Sequence, residues 1–244
     1  MKEIPILFST PMVQAILNDL KCMTRRVIKP QPNFESGYDY PHENELGIFW
    51  KSEKSYLNID ALIKDLISKC PYGQAGDRLY VKETWKCNSF NDKTRALAIE
   101  FKAGGSTEAW FNSEERYKQF KKFYFKNGWQ SPYFMPKEAA RLWLDNEGVR
   151  VEMLQEITEE DAKSEGILMD NDPTDEVYCP VCKGEGLIGT YHPISLGYME
   201  VDCPHCDTAV KRFKNLWDSL NEKRGFGWDV NNWLWVIEFR RVES

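Results

Sequence analysis

Apolar positions in this chain change period several times, and each change predicts an element. A short apolar run from Ile4 to Phe8 predicts a buried strand. Val13, Ile16, Leu17 and Leu20 then recur at helical spacing behind Thr10, placed to cap, and Pro11, suited to the first helical position. This amphipathic helix leads into the polar stretch Lys21 to Arg26, after which Val27 and Ile28 resume as a strand. Between Pro30 and Gly76 prolines and scattered aromatics read as a long loop, except that Ile59, Leu62, Ile63, Leu66 and Ile67 mark a helix. From Leu79 to Cys87 the period falls to two, with Leu79, Val81, Glu83 and Trp85 on one face. Leu97, Ile99 and Phe101 alternate likewise, so the two runs are expected to pair as a hairpin.

The second half continues in this way. Glu114 to Lys126 is charged and aromatic, with Tyr117, Phe120, Lys121 and Tyr124 near helical spacing. Such a row packs a core or stacks nucleic-acid bases. Asp145-Asn146-Glu147-Gly148 reads as the turn of a hairpin between Arg141 to Leu144 and Val149 to Leu154. Thr158 caps a short helix ending at Gly166, and Val210 to Lys223 presents Phe213, Leu216, Trp217 and Leu220 on one face. The last strand is expected over Trp233 to Val242. Mixed elements of this kind give an α+β class.

Composition narrows the function. The 244 residues suffice for one sizeable core with insertions, and the formal charge of −6 excludes a protein that coats nucleic acid through a broad basic surface. Contacts to nucleic acid are therefore expected at local clusters: Lys21, Arg25, Arg26 and Lys29; Lys118, Lys121, Lys122 and Lys126; Lys211, Arg212 and Lys214. No leader-like segment opens the chain, and no apolar run approaches the ~20 residues that span a bilayer, so a cytoplasmic protein is expected.

The most specific motif is a pair of knuckles, Cys179-Pro-Val-Cys182 and Cys203-Pro-His-Cys206, twenty residues apart. Four thiolates fill a tetrahedral shell, so the expected Zn2+ is structural and the segment from Asp170 to Thr208 reads as an inserted module. His205 is the alternative ligand, and a redox role for a single Cys-x-x-Cys is the weaker reading. The continuation Lys183-Gly184-Glu185-Gly186 resembles the repeats of DnaJ-type zinc modules.

Asp19-x-Lys21-x-x-Thr24-x-Arg26 resembles the Gly-x-Lys-x-x-Thr-x-Arg signature of ASCH domains, members of the PUA-like superfamily, with Asp19 standing where the family has glycine. Ile157 to Ile167 and Trp233 to Phe239 resemble segments of phage-type ASCH proteins. The resemblance implies a small, mostly antiparallel β-barrel with flanking helices. It also implies recognition of RNA or a modified nucleoside by Lys21, Arg25 and Arg26 in a cleft with Thr24. In the amidohydrolases of that family a lysine, a threonine and a later glutamate remove an acyl group from the exocyclic amine of cytidine. The matching residues are Lys21, Thr24 and Glu165, with Glu83 the rival acid on its apolar strand face. A third class is a phage accessory protein that binds a protein partner through the zinc insert.

Overall fold

The computed structural model describes residues 1–35, 47–50, 54–56, 58–167, 179, 181–183, 185–192 and 197–242. In chain order the elements are β1 (Glu3–Leu7), α1 (Thr10–Leu17), β2 (Met23–Val27), β3 (Asn33–Glu35), β4 (Gly47–Trp50), β5 (Lys54–Tyr56) and α2 (Ile59–Ser68). Then come β6 (Arg78–Lys82), β7 (Trp85–Asn91), β8 (Ala96–Phe101), β9 (Ser106–Trp110), α3 (Glu114–Phe125) and β10 (Trp143–Met153). The chain closes with α4 (Glu159–Ser164), β11 (Leu187–His192), β12 (Gly197–Asp202), α5 (Ala209–Asn221) and β13 (Trp233–Arg241). The α+β class is thus observed. Among the described residues none of the sheets closes into a barrel, and no helix is long and apolar enough to cross a membrane. The chain divides into two compact units, the first comprising Met1–Cys22, Pro71–Gly148 and Glu238–Ser244, the second Met23–Cys70 and Val149–Ile237.

In the first unit β1 runs parallel to β6, pairing Ile4 with Leu79 and Ile6 with Val81. The start of β10 runs antiparallel to the other edge of β6, pairing Leu144 with Leu79. β7, β8 and β9 form an antiparallel meander, and the hairpin expected between the first two is present, with Trp85 opposite Phe101. Ser113 caps α3 by accepting from the Arg116 amide at 3.3 Å. The helix then buries Tyr117, Phe120 and Phe123 against Trp85, Leu97, Ile99 and Phe101.

The strand expected over Leu79 to Cys87 is two strands in different sheets, broken after Lys82. The alternation survives the break, because Val81, Glu83 and Trp85 are all buried. A carboxylate inside such a row needs a counter-charge. Arg141 supplies it in a bidentate pair, Nε to Oε1 and Nη2 to Oε2 at 2.9 Å each, while its guanidinium lies 4.2 Å from the Phe101 ring centre. Glu83 is thus buried by its own unit. Breaking a buried pair from one side costs about 3–5 kcal/mol. Glu83→Ala is expected to lose stability on that scale in urea unfolding, and Glu83→Gln, which keeps one acceptor, less.

A second expectation is corrected here. Asp145 to Gly148 is no turn: it lies within the single strand β10. Its polar side chains take partners along an extended backbone, although the buried Asn146 Oδ1 has none among the described residues. Asp145 accepts from Arg78 at 3.0 Å, Glu147 from Arg240 at 3.1 Å, and the buried Asn146 donates to the Tyr72 carbonyl at 3.1 Å. The main chain of Asn146 exchanges hydrogen bonds with Gly76 and Asp77, so the tetrapeptide is held flat.

The second unit has its core between α4, α5 and the start of β13, where Leu154, Ile157, Ala162, Ile167, Phe213, Trp217 and Leu234 are buried together. Trp233 to Ile237 are buried on both faces, as a central strand requires. The Trp235 indole donates to the carbonyl of Leu66 in α2 at 3.0 Å. β3, β4 and β5 form a small antiparallel sheet inside the stretch expected to be loop. Strands of three or four residues carry too little alternation to be read against prolines.

Candidate functional site

The segment Leu17 to Arg26 begins at the end of α1. Asp19 adopts the left-handed conformation, φ 58°, in a Schellman closure: the Leu20 amide reaches the Ala15 carbonyl at 2.9 Å and the Asp19 amide that of Ile16 at 3.1 Å. Glycine would adopt this conformation without strain. Aspartate is held there by Arg241, which donates to Asp19 Oδ2 at 2.9 Å and to the Leu17 carbonyl at 3.2 Å. The departure from the glycine signature therefore keeps the turn. Lys21 follows, 3% exposed, with Nζ 5.9 Å from the Phe8 ring centre. All these residues belong to the first unit.

Thr24, Arg25 and Arg26 lie on β2 in the second unit, and so does Glu165. Thr24 is buried and Arg26 half-buried. Arg25 is buried with its guanidinium on three carboxylates: Glu152, Asp161 at 2.7 Å and Glu165 at 3.3 Å. Arg150 completes the cluster, meeting Glu152 at 3.0 Å and Asp161 at 2.7 Å. The expected nucleic-acid role of Arg25 meets this placement: its charge faces internal carboxylates. Sequence reasoning missed Arg150, Glu152 and Asp161. The available signal was the alternation Arg150, Glu152 on one strand face beside an acid in the first turn of α4.

The helix around Glu165 forms as its sequence dictates. Thr158 accepts from the Asp161 amide at 3.1 Å, and Gly166, φ 90°, ends the helix in a second Schellman closure. Glu165 occupies the C-cap and is buried. A carboxylate is disfavoured at the negative end of a helix, and the Arg25 guanidinium offsets this. Glu159, in the first turn of the same helix, accepts the Ala209 and Val210 amides at 2.8 and 3.2 Å and so ties α4 to the start of α5.

Cys179, Cys182, Cys203 and Cys206 are all buried, with their Sγ atoms within 4.8 Å of one another, and could hold a metal ion. Cys179 and Cys203 sulfurs stand 3.8 Å apart, Cys182 and Cys206 3.5 Å. A tetrahedron with metal–sulfur bonds of about 2.3 Å has edges of about 3.8 Å, so the donor set fits. The Gly186 amide donates to Cys182 Sγ at 3.3 Å, at a left-handed glycine with φ 73°. Burial pushes the Cys203 and Cys206 thiols up, and neighbouring thiols push Cys206 further. A bound cation opposes that shift by stabilising thiolate. His205 contributes its carbonyl, which accepts from Asn215 at 3.1 Å.

Comparison with protein-family models, with curated proteins and with solved structures gives no match to this chain.

Proposed function

We propose that the chain is a PUA-like ASCH protein that recognises RNA or a modified nucleoside through the segment from Lys21 to Arg26. The observation that supports this reading is the end of α1, where Asp19 takes the left-handed turn of the family's glycine and leads into two buried polar side chains, Lys21 and Thr24. With Arg25 committed to carboxylates, a phosphate contact from this strand falls to Arg26. The small barrel belongs to this family reading. The ion of the four-cysteine cluster is zinc, in a structural role, since four thiolates complete its shell.

A second reading is hydrolysis of acylated cytidine, favoured by a buried acid at the position the family uses, Glu165. Here Glu165 takes a proton from water or Thr24, and Lys21 stabilises the oxyanion of the tetrahedral intermediate. Incubation with acylated cytidine, as nucleoside and within RNA, separates the readings when product is followed by chromatography. Hydrolysis lost in both Lys21→Ala and Glu165→Gln assigns an enzyme. Binding without product assigns a reader, and neither binding nor product overturns the proposal.

A further inference from the structure

The first unit contains a cavity of about 440 Å³ that none of the preceding assignments uses. α3 forms one wall. Phe123 faces inward with Tyr117 and Phe120, while Lys122 and Lys126, one turn apart, flank it and are exposed. Their ammonium groups lie 5.9 and 4.8 Å from the Phe123 ring centre. Lys82 enters from the end of β6, donating to the Tyr133 carbonyl at 2.5 Å. The short turn Pro132–Phe134 completes the lining with two rings, Tyr133 at 69% and Phe134 at 50% exposure.

The charges around this cavity do not balance. Arg116 is neutralised by Glu138 and Lys137 by Glu3. Among the described residues no carboxylate lies within ion-pair distance of Lys82, Lys122 or Lys126. Three uncompensated cations therefore converge in a chain whose net charge is −6. Burial also lowers the affinity of Lys82 for its proton, so an incoming anion would restore what desolvation removes.

We propose that this cavity binds single-stranded nucleic acid, with successive backbone phosphates at Lys82, Lys122 and Lys126 and a base against Phe134 and Tyr133. Lysines attract phosphate as point charges without fixing its orientation, which suits a backbone read regardless of sequence. A phosphopeptide site would be expected to present an arginine fork, and the arginine here, Arg116, is occupied by Glu138 on two atoms. Exposed rings beside the cations add what a base needs and a phosphate alone does not. The cavity lining contains none of Lys21 to Arg26, so variants at Lys122, Lys126 and Phe134 leave that segment and its Arg26 phosphate contact in place.

The test is fluorescence anisotropy of the full zinc-loaded chain with a labelled ten-nucleotide oligouridylate, titrated from low to moderate salt. Three phosphate contacts predict a slope of log affinity on log salt of about −2, at roughly −0.7 per contact. Lys122→Gln with Lys126→Gln is expected to reduce the slope to about −0.7. Phe134→Ala is expected to weaken binding roughly tenfold with the slope unchanged, as loss of one stacked base does. All three substitutions fall on exposed side chains, and thermal melts check that the fold is kept. Competition by uridine monophosphate alone, at concentrations matching the oligonucleotide, assigns a free-nucleotide source; competition only by the longer strand assigns nucleic acid. Absence of binding, affinity indifferent to the lysine pair, an unchanged affinity in Phe134→Ala, or equal competition by a phosphopeptide would each overturn the proposal. A complete absence of oligouridylate binding would also count against an RNA contact at Arg26, whereas the lysine and Phe134 variants report this cavity alone and loss of acylated-cytidine binding in Lys21→Ala reports the other segment.

Discussion

Stripping the metal from the four-cysteine cluster is expected to unfold the β11–β12 hairpin and both knuckles while leaving the rest of the second unit folded. Among the described residues Ile188 is the partly buried hydrophobic packed on the four cysteines. Structural zinc supplies an apparent ~10–16 kcal/mol in zinc-finger peptides, far more than one aliphatic contact. Without it, four buried thiols face one another with only weak hydrogen bonds between them. The loss should reach the first turn of α5, where Arg212 donates to the Cys206 carbonyl at 2.9 Å, and stop at Phe213 and Trp217, which belong to the helical core. Hydrogen exchange with and without chelator reads this directly. Protection should vanish over Leu187–His192 and Gly197–Asp202 and persist late in α5. Metal analysis should find one zinc per chain, and Cys182→Ser should abolish it. Purified protein without zinc, or a hairpin equally protected in Cys182→Ser, would remove the metal from the account.

The second large effect is expected at Arg25. Arg25→Ala removes the guanidinium that Glu152, Asp161 and Glu165 share, while Arg150 still meets Glu152 and Asp161. Removing one side of a buried ionic cluster costs about 3–5 kcal/mol, because the carboxylates lose their counter-charge without regaining water. Arg25→Lys should recover only part of this: an ammonium is a compact point charge, whereas the planar guanidinium spans the three carboxylates with Nη1 and Nη2. Arg26→Ala, at a half-buried neighbour on the same strand, is the control and should cost less. Urea unfolding at neutral pH measures all three. A loss below about 1 kcal/mol in Arg25→Ala would mean that the cluster is solvated and the arginine available to a ligand.

Much of the fold was legible because single elements declare themselves locally. The Thr158 cap and Gly166 stop bounded α4, the aromatic spacing of Tyr117 and Phe120 gave α3, and alternation paired Trp85 with Phe101. Where reading failed, distant partners decided. Asp145 to Gly148 has turn composition, but Arg78, Tyr72 and Arg240 pair with its side chains in an extended strand. Likewise Glu83 looked like a spare acid until Arg141, 58 residues later, closed on it. The site was legible in part. The cysteine spacing located four donors that do come together, whereas the partners of Arg25 come from β10 and α4, and no local pattern joins them to β2. The Asp19 departure became intelligible only through Arg241, at the far end of the chain.

The central claim is that the segment from Lys21 to Arg26 recognises a nucleoside. Its most direct measurement is amide chemical-shift mapping of the labelled protein titrated with acylated cytidine, which carries no phosphate. The account predicts saturable shifts at Lys21, Thr24 and Arg26 and at Glu165, all lost in Lys21→Ala. Saturating nucleoside that moves none of these amides, or moves them equally in Lys21→Ala, would contradict it.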